Sequence, residues 1–78
     1  MEKKTQIARD CIKTAKETLG EGWHHVSDAV RWGLVASNLL GVIGSQDESI
    51  SPVRFREFVK EVMDETERVF NEICRGLR

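Results

Sequence analysis

Three segments of this chain repeat their apolar residues at three- and four-residue steps, the signature of helices with one buried face. In the first, Ile7, Ala8, Cys11, Ile12, Ala15 and Leu19 share a face, with Lys, Arg, Gln and Glu opposite. The pattern predicts a helix over about 3–19. Gly20 follows the last apolar position, where a left-handed residue commonly ends a helix. The second segment predicts a helix over about 23–43. Two starts fit it: one just after Gly22, the other at Ser27 as N-cap, which leaves Trp23–Val26 irregular. The third runs over about 52–76. Ser51 is a capping residue, and Pro52 suits the first helical position because its missing N–H needs no partner there. Ile50 and Phe55 have the spacing of a hydrophobic staple. Phe55, Phe58, Val59, Val62, Met63, Val69, Phe70, Ile73, Cys74 and Leu77 form its apolar stripe.

The second segment changes character partway. Between Trp32 and Gly44 it has no charged residue, although 32% of the chain is charged. Apolar side chains surround that half of the helical wheel, and such a helix must be covered on every side. A chain of 78 residues has little material for that. Small domains usually recruit a disulfide, a metal or another subunit. Two cysteines without a Cys-x-x-Cys or His-x-x-x-His motif leave the subunit as the favoured support. The expected fold is therefore all-α: one domain over 1–78, a three-helix antiparallel bundle per chain, assembled as a helical homo-oligomer.

Trp32, Gly33, Val35, Ser37, Leu39, Gly41 and Ile43 are the expected oligomer interface. Ala29, Gly33, Ser37 and Gly41 recur every four residues and line a strip where another backbone can come close. The alternative is that these small residues make room for a bulky side chain such as Phe58 or Phe70. Asn38, in the same apolar half, can fix register or oligomer state.

Charge narrows the partners. The net charge is −1, and only Arg9, Lys13 and Lys16 cluster, with Asp10 and Glu17 beside them. Nucleic-acid binding, which needs a basic face, is disfavoured. The uncharged run falls short of the roughly 20 residues needed to span a bilayer. No apolar signal region follows the N-terminal Met-Glu-Lys-Lys, so a cytoplasmic protein with reduced thiols is expected.

The candidate chemistry is sparse. His24 and His25 are adjacent, so on a helix they point about 100° apart and cannot clamp one metal. No metal and no cofactor is expected. Trp23, His24, Asp28, Arg31 and Trp32 form a possible ligand site for an anion or nucleotide-like molecule. Cys11 and Cys74 sit on apolar faces and read as buried thiols. Glu57, Glu61, Asp64, Glu65, Glu67 and Glu72 read as a solvated face, with an acidic docking surface as the alternative. Thr66 falls inside the third apolar stripe. There it can bond back to the Val62 carbonyl or meet polar residues of the second helix.

The expected function is a non-catalytic protein–protein interaction or regulatory module: an accessory factor, adaptor or inhibitor acting on another protein as a homo-oligomer. The rival is a ligand-binding or sequestering oligomer.

Overall fold

The computed structural model describes residues 3–45 and 51–76. Among these the chain is all-helical, with no strand. Helix α1 spans Lys3–Leu19, a short 3-10 helix spans Gly20–His24, α2 spans Asp28–Gly44 and α3 spans Pro52–Arg75.

Gly20 ends α1 with φ +56°, a conformation that costs an L-residue about 1–2 kcal/mol and glycine almost nothing. The chain then tightens into the 3-10 turn. The His25 N–H donates to the Gly22 carbonyl at 3.0 Å.

A second helix starting at Trp23 is corrected by this turn. Ser27 is extended, with ψ 161°, and its hydroxyl accepts from the Val30 N–H at 3.3 Å. Asp28 follows in the first turn, where a carboxylate favours the positive end of the helix dipole. The cap outweighs the helical period that runs through Trp23–Val26. Helix α3 opens as its sequence predicts: the Ser51 hydroxyl accepts from the Arg54 N–H at 3.3 Å, with Pro52 in the first turn. Ile50, the expected staple partner of Phe55, and Leu77 lie outside the described residues.

Helix α1 is the hub, packing more extensively on α2 and on α3 than those two pack on each other. Ala8, Cys11, Ile12 and Ala15 of α1 are buried. They join Val35, Leu39 and Ile43 of α2 and Val62, Val69, Phe70 and Cys74 of α3 in one core. The small Ala8 and Ala15 let the neighbouring helices approach α1. Asn38 fixes the α1–α2 register within the chain, its side-chain amide donating to the Cys11 carbonyl at 3.1 Å. Lys4 pairs with Glu61 between α1 and α3. Thr66 is fully buried and bonds back to the Val62 carbonyl at 2.7 Å, the first of its two expected roles.

Every fully buried residue of α3 lies at or beyond Val62. Phe55, Phe58 and Val59 in its first half are only partly covered. At 1.5 Å per residue α3 is about 36 Å long and α1 about 25 Å. The beginning of α3 therefore extends beyond its best-covered stretch.

Candidate functional site

The burial pattern of α2 determines what the rest of the molecule can present. Arg31, Val35, Leu39 and Ile43 are its buried residues. They recur every four residues and lie along one stripe. Val35, Leu39 and Ile43, expected between copies, thus lie in the chain's own core, and that part of the expectation is corrected. The misassignment was one of phase. A charged residue, Arg31, lies on the inner stripe and moves the outer stripe round the helix.

The opposite face of α2 consists of Ala29, Val30, Gly33, Ser37, Leu40, Gly41 and Gly44, all exposed and none charged. Leu40 is 69% exposed and Val30 48%. A Cβ added at Gly33 or Gly41 would meet nothing within 4 Å. No side chain among the described residues fills the space at Gly33 or Gly41, which removes Phe58 and Phe70 as the reason for glycine at those two positions. Of the expected interface, Gly33, Ser37 and Gly41 are exposed on this face. Trp32 lies at its edge, half-buried. Leu40 and Val30 were missed because they fall next to core residues in sequence.

The expected ligand site divides into two parts. Trp23 and Arg31 are 1% and 7% exposed. Arg31 donates through Nε to the Trp23 carbonyl at 2.5 Å and through Nη1 to Asp28 Oδ1 at 2.6 Å. Its guanidinium carbon stands 5.6 Å from the Trp23 ring centre, within cation–π range. Trp23 also meets Phe70 edge-on, ring centres 6.4 Å apart. These two residues close the turn between α1 and α2: Arg31 directs its donors to the Trp23 carbonyl and Asp28, while the Trp23 indole N–H is buried with no hydrogen-bond partner among the described residues. His24 is exposed at the end of the 3-10 helix. Its expected place beside Asp28 and Arg31 assumed a continuous helix, which the extended Ser27 interrupts.

Trp32 and Asp28 instead border a groove between α2 and α3 of about 520 Å³, lined also by Ala29, Met63, Glu67, Phe70 and Asn71. Trp32 and Phe70 meet at 5.1 Å between ring centres with planes at 65°. No lining residue is basic, and two are acidic. An anionic ligand would meet two carboxylates while Arg31 is turned to the backbone. The α3 residues of this groove were missed because α2–α3 neighbours are far apart in sequence.

A second groove, of about 420 Å³, lies between α1 and α2 along Asp10, Cys11, Thr14, Ser37, Asn38, Gly41, Val42 and Ser45. The Cys11 thiol is pushed above its ordinary value, first by burial and then by the nearby Asp10 carboxylate. Such a thiol is a poor nucleophile near neutrality. Among the described residues no group of three His, Cys, Asp or Glu could hold a metal ion, and no helix is long and apolar enough to cross a membrane. On α3, Arg68 bonds Glu65 and Glu72, which ties part of the acidic face into its own ion pairs.

Comparison with known proteins finds no matching family model, no matching curated protein and no matching solved structure.

Proposed function

We propose that this chain is a non-catalytic interaction module that works as a helical homo-oligomer, each copy an antiparallel three-helix bundle, with the outward face of α2 as the contact between copies. The bundle direction is supported by two contacts for each pair: Arg31–Trp23 and Asn38–Cys11 are in reverse order along α2 and the α1 segment, while Lys4–Glu61 and Trp23–Phe70 are in the same order along it and α3. The observation that carries the proposal is an exposed helix face with no charge, in a chain that places charges on most of its remaining surface. An uncharged face offers a charged partner no attraction, while two such faces meet without repulsion. Leu40 and Val30 are ridges beside the hollow at Gly33, Ser37 and Gly41. One surface thus carries both shapes, as a self-complementary two-fold contact requires. The role that follows is that of an accessory factor, adaptor or inhibitor. The paired copies form its body, and other surfaces meet a further protein.

Sedimentation equilibrium of the wild type and Leu40→Glu tests this. Leu40 is exposed, so a glutamate there leaves the single chain folded. The wild type is expected above the mass of one chain at low micromolar concentration, and Leu40→Glu at that mass with an unchanged helical spectrum. A folded wild-type monomer throughout that range refutes the proposal.

A further inference from the structure

The groove between α2 and α3 combines features that the fold does not require together. Its floor is aromatic: Trp32 and Phe70 meet at 5.1 Å with their planes at 65°, and of the two it is the half-buried Trp32 that keeps ring surface for a third group, Phe70 being buried beneath it. Met63, 43% exposed, forms an apolar wall. Carboxylates stand on opposite rims, Asp28 on α2 and Glu67 on α3, and Asn71 adds an amide. Arg31 shares Asp28 but is itself buried against the Trp23 carbonyl. Glu67, exposed on α3, supplies a further negative charge. The volume of about 520 Å³ is within the range of side-chain and small-ligand pockets.

We infer that this groove receives an arginine side chain from a partner protein. The aliphatic stem of arginine lies well on Met63 and the rings, since long basic side chains bury their stems and keep their heads polar. Its planar guanidinium stacks on an indole while donating to carboxylates, which a lysine ammonium does less well. Asp28 is already paired with Arg31, so the charge complementarity rests on Glu67, and no base lines the groove. The site lies at the first turn of α2, whereas the proposed contact between copies centres on Ser37–Gly41. The two surfaces adjoin at Ala29 and Trp32, while Met63 and Glu67 belong to the groove alone.

The test uses the full 78-residue chain. Two alanine-rich helical peptides, identical except for a single central arginine or norleucine, are titrated while the Trp32 indole N–H resonance is followed. Agmatine, a small guanidinium compound, is the third arm. The arginine peptide is expected to shift Trp32 saturably, the norleucine peptide to leave it in place, and agmatine to bind more weakly than the peptide. Glu67→Gln should weaken the arginine peptide about threefold, as loss of a part-exposed ion pair does. An absent Trp32 shift, an equal response to norleucine, or an unchanged affinity in Glu67→Gln overturns the inference. Tighter binding of agmatine than of the peptide also overturns it, by making the groove a site for small organic cations.

Discussion

Arg31 is a buried charge whose stability depends on its partners. Its guanidinium satisfies the Trp23 carbonyl, pairs with Asp28 and lies over the indole. Arg31→Met keeps the stem but leaves the Trp23 carbonyl without that donor. Chemical denaturation should then show a loss of about 2 kcal/mol, the usual scale for a hydrogen bond to a charged group. In sequence Arg31 was recognisable as part of a Trp–Asp–Arg cluster but not as a residue of the inner stripe, because hydrophobic patterning assigns charges outward. Cys11 gives a second test. Its thiol value is raised above the ordinary 9.0 by burial and Asp10. The unfolded chain therefore ionises first as pH rises. The stability associated with the protonated thiol is complete below about 9 and declines as pH climbs toward the folded value. Thermal midpoints should fall more steeply above that pH in the wild type than in Cys11→Ala. Parallel slopes would show that the thiol contributes nothing.

Among the elements, the glycines separate into two kinds. Gly20 has φ +56° and nothing near its added Cβ, so Gly20→Ala is opposed by backbone strain alone. A loss of about 1 kcal/mol is expected. Gly41 has ordinary helical dihedrals and open space at its Cβ. Gly41→Ala should raise the stability of the isolated chain by about 1 kcal/mol, the helix-propensity difference. Under the proposed contact the same change crowds a backbone approach and weakens association. Unfolding at low and high protein concentration separates the two effects, and a gain at both would show that no close approach exists at Gly41. The end of α1 and the start of α3 were legible because Gly20, Ser51 and Pro52 have strong local roles. The start of α2 was readable only as two alternatives. Helical spacing extends back through Trp23, and choosing Ser27 depends on Trp23 entering the core, which is a tertiary fact.

Across the whole molecule, Leu39 and Leu40 adjoin in sequence but differ in exposure, at 2% and 69%. Leu39→Glu buries an uncompensated carboxylate and should abolish helical signal at any protein concentration. Leu40→Glu should alter only the sedimenting mass. If Leu39→Glu folds as well as the wild type, the burial phase of α2 is wrong. The all-α class and three segments were readable from periodicity. The identity of the outward face was not, because Trp32–Gly44 is apolar in every direction and a wheel without charges has no marked outside. The α2–α3 groove was equally hidden. Its walls are brought together by packing on α1, and no sequence spacing encodes that.

The central position of α1 has a kinetic consequence. Helix α1 precedes both of its packing partners in the chain, and its contacts with α3 close a loop that contains α2. Loop-closure entropy must be met before those contacts form. The nascent α1 should therefore remain unprotected until α3 has emerged, and then become the last segment to open. In native-state hydrogen exchange the amides around Cys11 should open only with global unfolding, while those of the first turns of α3 exchange through local opening. Faster exchange in α1 than in the first half of α3 would contradict the hub arrangement.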